Sequence, residues 1–269
     1  GTVTRARASD APGRPSMALA LQALQELLGF PAKPTPLGSF TAEHGYHGAL
    51  PADVKLSYFD FKGKGEPIRL TLHMMGVPFE DHRVGKGEWE AFKRHTLFGQ
   101  MPQVEMDGLK WAQTNAILRY LCVTCGAHPA AAEDAALVDS LLDFEADLTR
   151  GLMVIRYGPR FGIELDDEQK AASLEAYSKT VLPRQLAHLE RALSNSRSGW
   201  LAGTREPTAA DFCYAPLLLG LIGRRQQAYD PGPLRASFPL VASFVEKFYR
   251  LPAVQEYYGR VVTLDSPDA

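Results

Sequence analysis

From Val54 onward the apolar and polar positions sort the chain into strands and helices. Val54 to Asp60 alternates well enough for a strand, and Phe79 to Val84 reads as a second. Between them Ile68, Leu70, Leu72 and Met75 mark a helix that opens from the Gly63–Gly65 turn, with Pro67 in its first turn and Gly76 at its end. Residues 98 to 121 read as a hairpin followed by a helix. Asp107-Gly108 between two apolar runs supplies the turn, and Ala116, Ile117, Tyr120 and Leu121 fall at helical spacing. The right-handed crossover rule makes the first two strands parallel neighbours.

After Gly126 strand patterning stops. Val138, Leu141, Leu142, Leu148 and Leu152 mark one long helix, Leu174 to Leu193 a second, and Phe238 to Arg250 a later one. Thr208 with Asp211 three residues on is a capping-box variant ahead of the apolar run Phe212 to Leu221. The expected fold is α/β plus all-α, with an α/β domain over 54–125 and an all-helical domain over 133–262. Ahead of both, residues 1–53 form an extension. Ser16 as N-cap, Met17, Leu21, Leu24 and Leu28 on one face, and Gly29 as terminator predict a short amphipathic helix over about 16–29. Its apolar face must be buried on its own body or on a protein partner. The Pro- and Gly-rich residues 30–53 connect it to the first strand.

Composition narrows the function classes. A hydrophobic share of 45%, a charged share of 22% and a net charge of -2 give no reason to expect nucleic acid. No apolar run reaches the 18 or so residues of a membrane span. Three cysteines argue against a disulfide framework. Cys122 and Cys125 have CxxC spacing with His128 nearby, but no fourth metal ligand is in reach, and a redox pair belongs at the start of the first helix instead. No metal is expected. Residues 1–16 carry Arg5, Arg7 and Arg14 against Asp10 alone, the composition of a loop or of a transit-peptide remnant. The expected location is therefore cytoplasmic, or an organelle matrix or stroma if that remnant is real.

Two features of 98–121 carry chemistry. The helix N-terminus at Gln113-Thr114 favours an anion, and Thr114 either caps the helix or offers its hydroxyl to a carboxylate. Pro102, just before the first strand of the hairpin, is a place for a cis bond, which would turn the Met101 backbone outward toward a second peptide.

Phe98-Gly99-Gln100-Met101-Pro102, the Asp107-Gly108 turn and Gln113-Thr114-Asn115-Ala116-Ile117-Leu118-Arg119-Tyr120-Leu121 resemble the glutathione-binding half of a cytosolic glutathione S-transferase of the tyrosine type, from about Val54 to about Tyr258. The resemblance implies a thioredoxin-like N-terminal domain followed by an all-helical C-terminal domain. It also implies a soluble detoxifying homodimer that conjugates glutathione, its substrate rather than a bound cofactor, to a hydrophobic small molecule. Tyr58, at the end of the first strand, would then hydrogen-bond the glutathione sulfur. Met101 before Pro102 would clamp the cysteinyl amide, Gln113 and Thr114 the γ-glutamyl carboxylate, and Trp89, Lys93 and Gln100 would surround the glycine carboxylate. Asp147 would reach the glutathione of the neighbouring subunit, and Phe98 resembles the aromatic residue that inserts into the partner. Phe59, Phe61, Met153, Arg156 and Tyr157 would line the electrophile pocket.

One departure stands out. Lys64 replaces the usual arginine beside the tyrosine, keeping charge but losing the planar fork. That, with the 53-residue arm, leaves as the alternative a non-catalytic subunit of a larger assembly.

Overall fold

The computed structural model describes residues 51–223 and 229–266. The expected helix over 16–29 and the connector as far as residue 50 lie outside the described residues.

Four strands form one sheet in the order β2-β1-β3-β4. The inner strand β1 (Val54–Phe59) pairs in parallel with β2 (Phe79–Val84) and antiparallel with β3 (Gln103–Met106), and β4 (Leu109–Ala112) follows β3 across the hairpin. Asp107 at φ 50° and Gly108 at φ 80° both take the left-handed conformation that a tight two-residue hairpin turn requires. Leu56, Ser57 and Tyr58 are all buried, as befits an inner strand.

Three helices accompany the sheet: α1 (Glu66–Met74), α2 (Trp89–Lys93) and α3 (Thr114–Thr124). Pro67 sits in the first turn of α1, where its missing N–H leaves no bond unmade. Ile68, Leu70 and Leu72 are fully buried, whereas Met75 lies at the C-cap and is only half-buried. The buried face of α3 differs from expectation. Ile117, Leu118, Leu121 and Cys122 are inside, but Ala116 is exposed and Tyr120 half-buried. The cause is tertiary: α3 packs against α1 and also against a later helix, while Tyr120 stacks on Trp111 of β4 at 4.3 Å.

The remaining elements are helical: α4 (Ala132–Tyr157), α5 (Asp167–Ala176), a π turn (Tyr177–Val181), α6 (Leu182–Asn195), α7 (Ala209–Ile222), α8 (Gly232–Ser237), α9 (Pro239–Tyr249) and α10 (Pro252–Tyr258). At 26 residues α4 is about 39 Å long. The single helix expected over Leu174 to Leu193 is α5 and α6 joined by the π turn. Pro183 at the start of α6 cannot donate to the preceding turn, and Tyr177 is tied sideways, its hydroxyl donating to the Leu148 carbonyl at 2.8 Å. The wider turn accommodates both.

Helix α7 is apolar nearly all round, the mark of a buried helix. It touches α1, α3, α4 and α9, so one continuous core runs from the thioredoxin-like domain into the helical domain. Its start is the expected capping box, in which Asp211 accepts from the Thr208 N–H and also from the Leu201 N–H, each at 2.8 Å. The chain then returns: α10 packs on α1, and the Tyr258 hydroxyl donates to Glu66 at 2.6 Å.

Candidate active site

Tyr58 is the last residue but one of the inner strand, at the carboxyl end where ligands of open α/β sheets bind. Its ring is 6% exposed and meets Phe59 and Phe61 edge-on at 5.6 and 5.4 Å. Gly63 and Gly65 allow this approach, because a Cβ on Gly65 would stand 2.6 Å from the ring and one on Gly63 2.6 Å from the hydroxyl. Arg69, wholly buried on α1, lies 5.8 Å from the ring centre. It donates to the Phe61 carbonyl at 3.2 Å and pairs with Glu66 and Asp81, so the loop after β1 is held from below.

Lys64 joins three elements at this point. Its N–H donates to the Tyr58 phenol oxygen at 3.0 Å, and its carbonyl accepts from the Thr114 hydroxyl at 3.3 Å. Its ammonium reaches across to Glu145 of α4 at 2.5 Å, and that carboxylate is 6% exposed. The backbone of Lys64, not its charge, therefore meets the phenol. Burial raises the Tyr58 pKa above its ordinary value, the Lys64 N–H works against that rise, and Tyr157 and Arg69 add smaller pushes up and down. The phenol thus keeps its proton at neutral pH with the oxygen already accepting one hydrogen bond, an arrangement that makes the O–H a better donor.

Across from Tyr58, Thr114 does not act as the N-cap of α3; Gln113 does. Gln113 holds φ 70° and ψ 112°, outside the regions open to an ordinary L-residue, and stays exposed. Thr114 is buried with its N–H in the first turn of α3, at the positive end of the helix. The Met101–Pro102 bond is cis, and Met101 lies just ahead of the ladder that starts at Gln103.

The other expected residues fall into three groups. Trp89 opens α2 and meets Phe59 edge-on at 5.4 Å, while exposed Lys93 lies along Gly99, next to Gln100. Asp147 is exposed on α4 and makes only a loose pair with Arg150 at 3.7 Å. Of the electrophile candidates, Phe59 and Phe61 stack at 5.7 Å, and Phe61 and Tyr157 are about half exposed, at 50% and 48%. Met153 is half-buried, and Arg156 acts on Tyr177 rather than on Tyr58. A cavity of about 230 Å³ at the end of α4, lined by Ile155, Gly158, Pro159, Glu164, Leu165 and Lys170, includes none of the five.

Residues 54–122 match the family described as "Glutathione S-transferase, N-terminal domain", and residues 160–260 match "Glutathione S-transferase, C-terminal domain". Glutathione S-transferase 4 of Caenorhabditis elegans is 34% identical over 208 residues, 76% of this chain and 95% of that protein. The chain belongs to the glutathione S-transferase family. Glutathione S-transferase 2 of Manduca sexta is 32% identical over 204 residues, covering 76% of this chain and 94% of that one. The solved glutathione S-transferase from Ascaris lumbricoides matches with a TM-score of 0.62 at 28% identity, over 80% of this chain and all of that one.

Within this transferase, two residues of the site were passed over in the sequence. Arg69 reads as a helix residue like any other. Glu145 left a signal: it stands four residues after Leu141 and three before Leu148, on the buried stripe of α4, where an acid needs a partner. Burial pushes the Cys122 thiol well above its usual range and the Cys125 thiol up to about 11, so neither is a thiolate at neutral pH. Among the described residues there is no group of three or more His, Cys, Asp or Glu side chains that would hold a metal, and no helix long and apolar enough to cross a membrane.

Proposed function

We propose that this glutathione transferase binds glutathione along the edge between the end of β1 and the start of α3, and transfers its thiolate to an apolar electrophile. The reading rests on one observation above all: the Tyr58 phenol, already accepting from the Lys64 N–H, keeps a proton to donate at the carboxyl end of the inner strand. Donated to sulfur, that bond favours thiolate over thiol. A hydrogen bond to a charged group is worth about 1.5–3 kcal/mol, which lowers a thiol pKa of about 8.5 by about one to two units.

The other contacts follow from the extended shape of the tripeptide. The Met101 backbone pairs with its cysteinyl amide, and the γ-glutamyl carboxylate sits at Gln113 and Thr114 against the helix N-terminus. Trp89, Lys93 and Gln100 surround the glycine carboxylate. Phe61 and Tyr157, both half exposed beside Tyr58, offer apolar surface to the electrophile. Asp147, exposed on α4, serves the site of a second subunit. In that dimer Phe98, which is 57% exposed, enters a cavity of about 290 Å³ lined by Leu141, Phe144, His188 and Leu189 of the partner copy.

Conjugation of glutathione to a chromogenic aryl halide tests the reading. The wild type turns over, and Tyr58→Phe loses about 10- to 100-fold in kcat at neutral pH with the glutathione KM changed far less, the pattern of an interaction that favours the reacting thiolate. Equal turnover by the two proteins would remove Tyr58 from the mechanism.

A further inference from the structure

We propose that Glu145 is a positioning residue for the transferase reaction: by holding the Lys64 ammonium against α4, it sets the charge felt by the glutathione sulfur. The inference rests on the glutathione reading given above. Lys64 touches both ends of the proposed glutathione site through its backbone, its N–H at the Tyr58 oxygen and its carbonyl at the Thr114 hydroxyl. Its side chain goes to neither end. The ammonium pairs with Glu145 at 2.5 Å, joining the loop after β1 to the long helix across 81 positions of sequence.

The pair is asymmetric. Lys64 keeps 34% of its side chain exposed, whereas Glu145 keeps 6%, so the lysine is the partner with room to turn toward the site. A carboxylate that buried needs its cation, since removing one member of a buried pair leaves the other uncompensated. With the pair formed, the two opposite charges stand together and offset one another at a distance. Tyr58 itself is raised chiefly by burial; Lys64 acts on it through the backbone N–H, and the charges that act on it are those of Tyr157 and Arg69.

The surrounding groups fix the sign of the effect. Helix α1 presents Arg69 below the Tyr58 ring, and α4 presents Tyr157, Glu145 and, on its exposed face, Asp147. From α7 come Cys213 and Tyr214, and from the π turn Tyr177; burial is the main cause that raises all three, the Glu145 charge adds to each rise, and Lys64 works against it at Cys213. None of these replaces Glu145 as the counter-ion of Lys64. Neutralising Glu145 leaves the ammonium unopposed near an anion, which favours thiolate and lowers the thiol pKa. Neutralising Lys64 does the reverse.

The test is the pH profile of kcat/KM for the electrophile at saturating glutathione, which reports the bound thiol, in four proteins: wild type, Glu145→Gln, Lys64→Gln and the double variant. Expected are an acid limb moved down by about half a unit in Glu145→Gln, moved up by a similar amount in Lys64→Gln, and returned to the wild-type position in the double variant. A change that loosened only the fold would lower rates without moving the limb. Should one single variant fail to fold, the other with the double variant still gives the sign. A limb that stays in place in the folded single variants overturns the proposal, and so does a Glu145→Gln shift that persists in the double variant. Failure of the wild type to conjugate glutathione at all is a different outcome, and overturns the underlying reading as well.

Discussion

Gln113 pays for its position in backbone energy. A non-glycine residue at φ 70° and ψ 112° is held there by its surroundings, at a cost of about 1–3 kcal/mol. Relief is available to glycine, whose greater freedom in the unfolded chain returns about 0.5–1 kcal/mol of the gain. Gln113→Gly is therefore expected to unfold at higher denaturant concentration, by about 1 kcal/mol, while its glutathione KM rises several-fold with the loss of the side-chain amide. Urea titration and steady-state kinetics on one preparation measure both. A variant with no gain in stability would show the strain to be absent, and one with unchanged KM would take Gln113 out of the glutathione contacts. At this scale the sequence was informative where chemistry is local. Tyr58 at a strand end and Thr114 at a helix start could be placed from neighbouring residues. The partner of the Lys64 ammonium could not, because an ion pair spanning 81 positions leaves no mark in spacing or periodicity, and the buried stripe of α4 gave only half of it.

Elements were legible to the extent that each carries its own start and stop. The hairpin announced itself through Asp107-Gly108, which supplies both left-handed residues, and α7 through Thr208 and Asp211. The π turn between α5 and α6 was not legible, since Leu174 to Leu193 keeps helical spacing across it. Pro183 alone marks a disturbance in the sequence, and the bond from Tyr177 to Leu148, a tertiary contact, joins it in shaping the turn. The exposed Ala116 on α3 has the same kind of cause, packing against α1, α4 and α7 at once. The α7 cap also yields a prediction. Asp211 is fully buried and satisfies the N–H groups of Leu201 and Thr208 together with the Thr208 hydroxyl. Asp211→Ala strands two buried N–H donors at about 1–3 kcal/mol each and removes its half of the capping box. A loss of about 3 kcal/mol or more in unfolding free energy is expected, with Asp211→Asn losing less because its amide oxygen still accepts. Equal stability for Asp211→Ala and the wild type would mean that α7 is fixed by its apolar packing alone.

For the whole molecule, the open question is what covers Phe98. It stands 57% exposed on a segment anchored where the buried Gln103 accepts the Leu97 N–H at 2.9 Å. Between them α4 and α6 leave an open depression of about 290 Å³, with an edge-on Phe144–His188 pair in its wall and without Phe98 in its lining. A single chain does not bring its own Phe98 into use there, whereas a two-fold pair uses each ring and each cavity once. Burying a Phe side chain is worth about 1.5–3 kcal/mol, so losing both rings costs the dimer about 3–6 kcal/mol, roughly two to four decades in dissociation constant. Phe98→Ser is accordingly expected to sediment as a monomer at micromolar concentrations at which the wild type is a dimer. Its monomer should fold with the far-UV circular dichroism of the wild type, because no core contact is lost. If Asp147 serves the neighbouring site, glutathione affinity must fall along with dimerisation and recover as the concentration of Phe98→Ser is raised. Dimerisation that survives the substitution would place the interface elsewhere. A monomer with wild-type glutathione affinity would keep the interface and detach Asp147 from the site.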